Sequence, residues 1–160
     1  MEPRTRSVAV ANLFPDEERW TVVAPLRPRF RDTDAMGHIN NAVYVTYIEV
    51  ARQEYWRAFK NDDNYKVVPF ILARVEIDFR SEALMHETLE LCIRCSYVGG
   101  KSFGFDYLIR EAKSQRRVVA ARSVQVFYDY ATKTSMPCPP EMRAKLEAFE
   151  GRKLDREVGS

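Results

Sequence analysis

The chain has 160 residues, 46% hydrophobic and 30% charged, which is the size and composition of one ordinary globular domain. Its 25 Lys and Arg against 23 Asp and Glu leave a net charge of +2, too balanced for a dedicated nucleic-acid binder. Three cysteines are too few, and odd in number, for a secreted disulfide scaffold. The first twenty residues are studded with Glu2, Arg4, Arg6, Asp16, Glu17, Glu18 and Arg19 and hold no apolar leader. The most apolar run, 42–51, is broken by Thr46 and Glu49 and falls short of the ~20 residues a membrane span needs. A cytoplasmic protein with neither nucleic-acid nor membrane partners is the expectation.

In chain order, residues 1–19 show no sustained period and read as an N-terminal extension. Residues 20–30 (WTVVAPLRPRF) read as extended, with Pro25 and Pro28 excluding a helix. A polar loop follows over 31–41. Val43, Tyr44, Tyr47, Ile48, Ala51, Tyr55, Trp56 and Phe59 then recur at three- and four-residue spacing, which predicts a helix over 42–60 with Asn40 or Asn41 as its cap. The first half of that helix is apolar on nearly every side, which predicts burial all round. The run Asn61-Asp62-Asp63-Asn64 ends it. From there the period is two, predicting strands over 67–80, 88–98, 102–112 and 117–130, with hairpin turns at Gly99-Gly100 and 113–116. Pro137, Pro139 and Pro140 lead into a short charged helix over 141–150 and a polar tail. The arrangement is α+β: one long apolar helix against an antiparallel sheet, in a domain over 20–136 with a C-terminal helix and tail over 137–160.

Several motifs fail on inspection. Gly100-Lys101-Ser102 mimics the end of a phosphate-binding loop, but that motif needs glycine where Cys95 stands and a following helix where a strand is predicted. Cys92 and Cys95 have metal-like spacing, yet residues three apart on a strand face opposite sides and no second pair completes a ligand set; no metal site is expected. His38 and His86 are the sole histidines, and no Gly-x-Ser-x-Gly elbow offers a nucleophile for them.

The dense constellation is Asp32-Thr33-Asp34-Ala35-Met36-Gly37-His38-Ile39-Asn40-Asn41, immediately ahead of the predicted helix. A helix N-terminus offers unpaired N–H groups and partial positive charge that can polarise a carbonyl oxygen. A carboxylate on the loop leading into it could attack the carbonyl carbon or activate water to do so. Gly37 would permit the turn that aims the carboxylate. The plainer reading of the same residues is a polar connection with an Asx-turn and an N-cap.

Residues 29–55, RFRDTDAMGHINNAVYVTYIEVARQEY, resemble the signature of hotdog-fold acyl-CoA thioesterases of the 4-hydroxybenzoyl-CoA thioesterase type: D-x-D-x-x-G-x-x-x-x-x-x-Y, then an acidic residue and alanine on the helix. Asp32, Asp34, Gly37, Tyr44, Glu49 and Ala51 match it in place. The resemblance covers about residues 20–130. It implies a long helix wrapped by a curved antiparallel sheet of five or six strands. It also implies a homodimer or dimer-of-dimers tetramer with acyl-thioester sites between subunits. The catalytic acid maps onto Asp34, and the N–H that polarises the thioester carbonyl onto Asn41, where some members carry a histidine. Gly37, His38, Asn40, Tyr44, Lys101 and Ser102 are the residues expected around the substrate, with Lys101 placed to meet a phosphate.

Both lines lead to hydrolysis of an acyl-CoA or acyl-carrier thioester to free acid and thiol, with Asp34 as nucleophile or general base. No cofactor is expected beyond the coenzyme A carried by the substrate. Asp32 is expected to order the loop, Asn40 to cap the helix, and Glu49 to pair with Arg52 at i+3. Phe70, Leu72 and Tyr55 are candidate lining for an acyl pocket. The competing readings are an acyl-thioester hydratase or dehydratase and a hotdog module that binds acyl thioesters without hydrolysing them.

Overall fold

A computed structural model describes residues 19–60 and 69–156. The extension expected over 1–19, apart from its last residue, and the Asn61–Asn64 helix stop lie outside the described residues. Strand β1 spans Val22–Leu26, and a 3-10 turn at Phe30–Asp32 leads toward helix α1, Val43–Lys60. Four long strands follow: β2 Phe70–Phe79, β3 Leu89–Val98, β4 Ser102–Glu111 and β5 Arg117–Asp129. A two-residue strand, β6 (Thr134–Ser135), which periodicity cannot reveal at that length, folds back on the end of β5. Helix α2 spans Pro140–Glu150, with proline in its first turn and Gly151 closing it at φ 72.

The five longer strands form one antiparallel sheet in the order β1-β3-β4-β5-β2. Period-two patterning decides which face is inside. Leu89, Leu91, Ile93 and Cys95 of β3, Phe103, Phe105, Tyr107 and Ile109 of β4, and Val119, Ala121 and Phe127 of β5 all belong to the buried core. Across them lies the stripe Tyr44, Tyr47, Ile48, Ala51, Tyr55 and Trp56 of α1. The contact is largely aromatic: the Tyr55 ring meets Phe105 edge-on at 4.8 Å, and Trp56 meets Phe103 and Phe105 at 5.9 and 5.7 Å. Each such ring fully buried is worth about 1.5–3 kcal/mol.

The helix is not buried all round. Val45, Thr46 and Glu49 are exposed, as are Ile71, Leu72 and Phe79 of β2, the edge strand beside that flank. Cys92 and Cys95 are buried free thiols, and burial pushes Cys92 up to about 12. Among the described residues no helix is long and apolar enough to cross a membrane.

Near the far end of β3, a bulge between Cys95 and Tyr97 tucks the Tyr97 ring over Gly104. A Cβ at Gly104 would stand 2.7 Å from Cδ1 of that ring. Gly104→Ala is therefore expected to destabilise the fold by about 1–3 kcal/mol through overpacking, read as a lower denaturant midpoint at unchanged slope. A midpoint equal to wild type would show that the bulge yields freely.

Candidate active site at the start of the central helix

The sheet has two distinct ends. At one, Leu26 pairs with Leu89, and Val119 of β5 pairs with both Ile109 and Phe79. At the other, Val98 pairs with Phe103 and Phe70 with Phe127. The Asp32–Asn41 loop leaves β1 at the first end, and each of its polar groups has a defined use.

Asp32 is the anchor. It is 3% exposed and accepts the Arg29 N–H at 2.9 Å, the Arg29 guanidinium at 3.3 Å and the Tyr47 hydroxyl at 2.8 Å, while its backbone oxygen takes the Asn40 N–H. Burial raises its pKa, but these donors outweigh burial and hold the carboxyl below its ordinary 3.8. A depressed carboxylate pKa stabilises the fold above the unfolded value, and that contribution is lost as pH falls through the folded one. Asp32→Asn should cost about 2 kcal/mol at neutral pH, the scale of charge-assisted hydrogen bonds. The gap in melting temperature from wild type should close as the pH drops below 3.8. A gap independent of pH would mean the charge is not what matters.

Asp34 is used differently. The chain reverses over Asp34–Gly37, with the Gly37 N–H on the Asp34 carbonyl at 3.2 Å and the Asp34 N–H on the His38 carbonyl at 2.7 Å. Gly37 sits at φ 81, a left-handed conformation that glycine adopts without strain. Asp34 Oδ1 accepts two backbone N–H groups, from Met36 at 2.8 Å and His38 at 3.1 Å. Its Oδ2 receives none among the described residues, and the side chain is exposed. One oxygen is fixed and the other is open, as a nucleophile or base requires.

The helix start is arranged to leave one donor open. Asn40 Oδ1 takes the Ala42 N–H at 3.1 Å, and the Asn40 carbonyl takes the Val43 N–H at 2.9 Å. Asn40 is thus the cap. Exposed Asn41 receives the Tyr44 N–H on its carbonyl, while its own N–H has no acceptor among the described residues. Asp34 and the open Asn41 N–H belong to the two arms of one pinned hairpin: Thr33 bridges Ile39, His38 bridges Leu84, and the Ile39 N–H reaches the Ala83 carbonyl at 2.9 Å.

Other expected residues fall elsewhere. The His38 imidazole lies 3.3 Å from Glu82, not on Asp34, to which it gives its backbone N–H. Tyr44, expected at the substrate, is buried, edge-on to Tyr47 at 5.8 Å and 5.9 Å from the Phe79 ring; burial pushes its hydroxyl up to about 12. Tyr55 is core, donating to Glu150 at 2.6 Å, and lines no open surface. Lys101 in the β3–β4 turn and Ser102 at the start of β4 stand at the opposite end of the sheet from Asp34, roughly 30 Å away along the ten residues of β3. Glu49 and Arg52 form no ion pair: Glu49 is exposed, and Arg52 donates instead to the Tyr107 hydroxyl at 3.2 Å.

The loop also carries exposed apolar side chains that the sequence did not single out. Phe30 is 81% and Met36 76% exposed on the loop itself, and Phe79 and Met85 are exposed on the β2–β3 segment to which it is bridged. Met36 could have been noticed as a large apolar residue in a polar loop, and Phe30 as the last residue of the extended segment before it; the other two adjoin them only through the fold.

The sequence model of the thioesterase-like superfamily matches residues 28–146. The chain belongs to the thioesterase-like superfamily. Over 119 residues it is 26% identical to the long-chain acyl-CoA thioesterase FadM of Escherichia coli (strain K12), covering 71% of this chain and 88% of that protein. Over 80 residues it is 29% identical to the uncharacterized protein YsmA of Bacillus subtilis (strain 168), covering 50% and 54% of the two chains. The crystal structure of a thioesterase from Thermus thermophilus, complexed with coenzyme A and zinc, superposes with a TM-score of 0.76 at 27% identity, covering 84% of this chain and 98% of that one. The fold is the hotdog expected from the sequence, with α1 as the helix its sheet wraps. Among the described residues no three His, Cys, Asp or Glu side chains gather into a group that could hold a metal ion.

Proposed function

We propose that this superfamily member hydrolyses acyl-CoA or acyl-carrier thioesters at the Asp34 end of the sheet. The observation that carries the reading is the pair formed by Asp34, one oxygen held and the other open, and the unoccupied N–H of Asn41 at the helix start. The substrate's carbonyl oxygen takes the Asn41 N–H, and the exposed apolar groups Phe30 and Met36 offer a surface to the acyl or pantetheine portion. Asp34 either removes a proton from water as it adds to the carbonyl carbon, or adds itself to form an anhydride that water then opens. Negative charge moves onto the carbonyl oxygen and is held by the N–H; the C–S bond breaks, and the thiolate leaves to take up a proton. The coenzyme A in the superposed Thermus thermophilus structure and the substrate of FadM support coenzyme A as the thiol carrier.

The acting unit is a homodimer on this reading. β2 is a ten-residue edge strand with exposed Ile71, Leu72 and Phe79, a surface that a protein normally covers. Pairing β2 antiparallel with its copy reverses the second sheet end for end. The partner's Lys101 and Ser102 then come to the Asp34 end, so these two residues serve the site from the other subunit. Free thiols fit the reducing cytoplasm.

The test is a panel of straight-chain and aromatic acyl-CoAs and acyl-carrier thioesters, followed by release of free thiol. Steady release from at least one supports hydrolysis. Tight binding with the thioester recovered intact would favour a binding module, and water added across an enoyl thioester would favour a hydratase.

A further inference from the structure

The central helix carries a charge that no acid among the described residues compensates. Arg52 is 8% exposed, and among the described residues its guanidinium makes one hydrogen bond, to the Tyr107 hydroxyl at 3.2 Å. That hydroxyl also meets Ser123 Oγ at 2.6 Å, and Ser123 Oγ receives the Gln125 amide. Every other member of this set is neutral. A guanidinium has five donors and a permanent charge, and holding it out of water beside neutral acceptors is costly until an anion meets it. Glu49, one turn earlier, is exposed and pairs with nothing among the described residues.

Val45, Glu49, Arg52 and Trp56 follow at i, i+4, i+7 and i+11, so at 100° per residue they share one flank of α1. Ring contacts show how the helix lies along the edge strand. Tyr44, at one end of the helix, lies 5.9 Å from Phe79, and Trp56 lies 5.8 Å from Phe70, the two ends of β2. The flank therefore runs beside the inner face of the edge strand, where Val45, Leu72 and Phe79 are exposed. Among the described residues, a buried cation without an anion, an anion without a cation and a set of uncovered apolar side chains lie together on this one face.

We propose that, across the two-fold axis of that dimer, Glu49 of each copy neutralises Arg52 of the other. The inference rests on the dimer proposed above and adds the contact that holds it. In a two-fold interface, whatever residue i does to residue j, j does to i. Two α1 helices meeting antiparallel about an axis near Val50 and Ala51 put position 49 of each opposite position 52 of the other, so the pair forms twice. The same axis direction pairs β2 with its copy. Each such ion pair gives both side chains the opposite charge that neither meets among the described residues.

The test uses charge reversal and mixing of full-length chains. Glu49→Arg alone sets like charges opposite each other at both contacts, as does Arg52→Glu alone. Each should raise the dimer dissociation constant at least ~30-fold in sedimentation equilibrium, the low end for breaking a desolvated charge pair. Circular dichroism should still show folded chains. Mixing the two variants restores an opposite pair at both contacts and should recover heterodimers near wild-type affinity. A pair within one helix cannot be rescued by mixing. Should Arg52→Glu not fold, Glu49→Arg must weaken the dimer more than Glu49→Gln. The inference is overturned if folded Glu49→Arg dimerises as wild type does, if Glu49→Arg and Glu49→Gln weaken the dimer equally, or if mixing restores nothing. A wild-type chain that sediments as a monomer overturns the dimer reading itself, and this inference with it, while leaving the Asp34 chemistry to the thiol-release panel.

Discussion

Asp34→Asn should lower kcat for thioester hydrolysis by roughly 10²–10⁴-fold, the range a positioned base contributes, with little change in melting temperature. The amide can keep the same place, because its oxygen still accepts the Met36 and His38 N–H groups that fix Oδ1 at 2.8 and 3.1 Å. What is lost is the open oxygen: an NH₂ group there neither takes a proton from water nor attacks a carbonyl. Since Asp34 is exposed and its loop is held by Asp32, Gly37 and the Thr33–Ile39 bridge, the fold does not depend on its charge. KM should move little, because a carbonyl held by the Asn41 N–H and an acyl group on the apolar surface would both be untouched by the change. Steady-state kinetics beside a thermal melt checks both halves. A loss of activity that tracks a loss of structure would assign Asp34 a scaffolding part instead.

Glu150→Ala should be the most damaging substitution for stability, at about 3–5 kcal/mol, the sum of the orphaned donors and the void it leaves. The carboxylate is 7% exposed and accepts the Tyr55 hydroxyl at 2.6 Å, the Cys95 N–H at 2.7 Å and the Thr21 hydroxyl. It thereby ties α2 to α1, to β3 and to the segment before β1. The Cys95 N–H needs it: the last β1–β3 pair at this end is Val22 with Ile93, and β3 bulges just after Cys95. Arg152 completes the arrangement by donating to the Cys95 and Ser96 carbonyls at 2.9 and 3.2 Å. Removing the acid orphans two buried donors, each costing about 1–3 kcal/mol, and leaves a void beside Tyr55. For a chain of this size that lowers the melting temperature by roughly 10 °C. Glu150→Gln, which keeps an acceptor and the volume, should lose about a third of that. Equal losses for the two variants would show that the charge, not the acceptor, is what the site needs.

The elements are legible in the sequence because their periods are long and uninterrupted. The helix read as 42–60 is Val43–Lys60, and the strands read as 88–98, 102–112 and 117–130 are Leu89–Val98, Ser102–Glu111 and Arg117–Asp129. The Asp34 loop is legible for a local reason. Gly37, Asn40 and the two aspartates act within a few residues of one another, so spacing alone constrains what they do. Asp32 and Asp34 part company through a distant residue, Tyr47, whose hydroxyl takes the first acid inside and leaves the second out. Lys101 and Ser102 show the opposite limit. Their turn chemistry is plain, but which end of the sheet they occupy depends on strand order, and in one chain that is the wrong end. Arg52 departs from its expected pairing for a similar reason. Its i−3 neighbour is an acid, yet Tyr107 and Ser123, reached only through the sheet, draw it inward. Nothing in a charged C-terminal helix signals that its last residue answers a bulge fifty-five positions earlier.

Hydrolysis of acyl thioesters at the Asp34 end of this sheet can be decided by one paired measurement. Wild type and Asp34→Ala are compared at acyl-CoA concentrations that saturate both, with binding measured by calorimetry and turnover by free thiol. Closely matched affinities are expected, with thiol released steadily by wild type and at least ~100-fold more slowly by the variant. Equal rates of thiol release from the two proteins would contradict hydrolysis by Asp34.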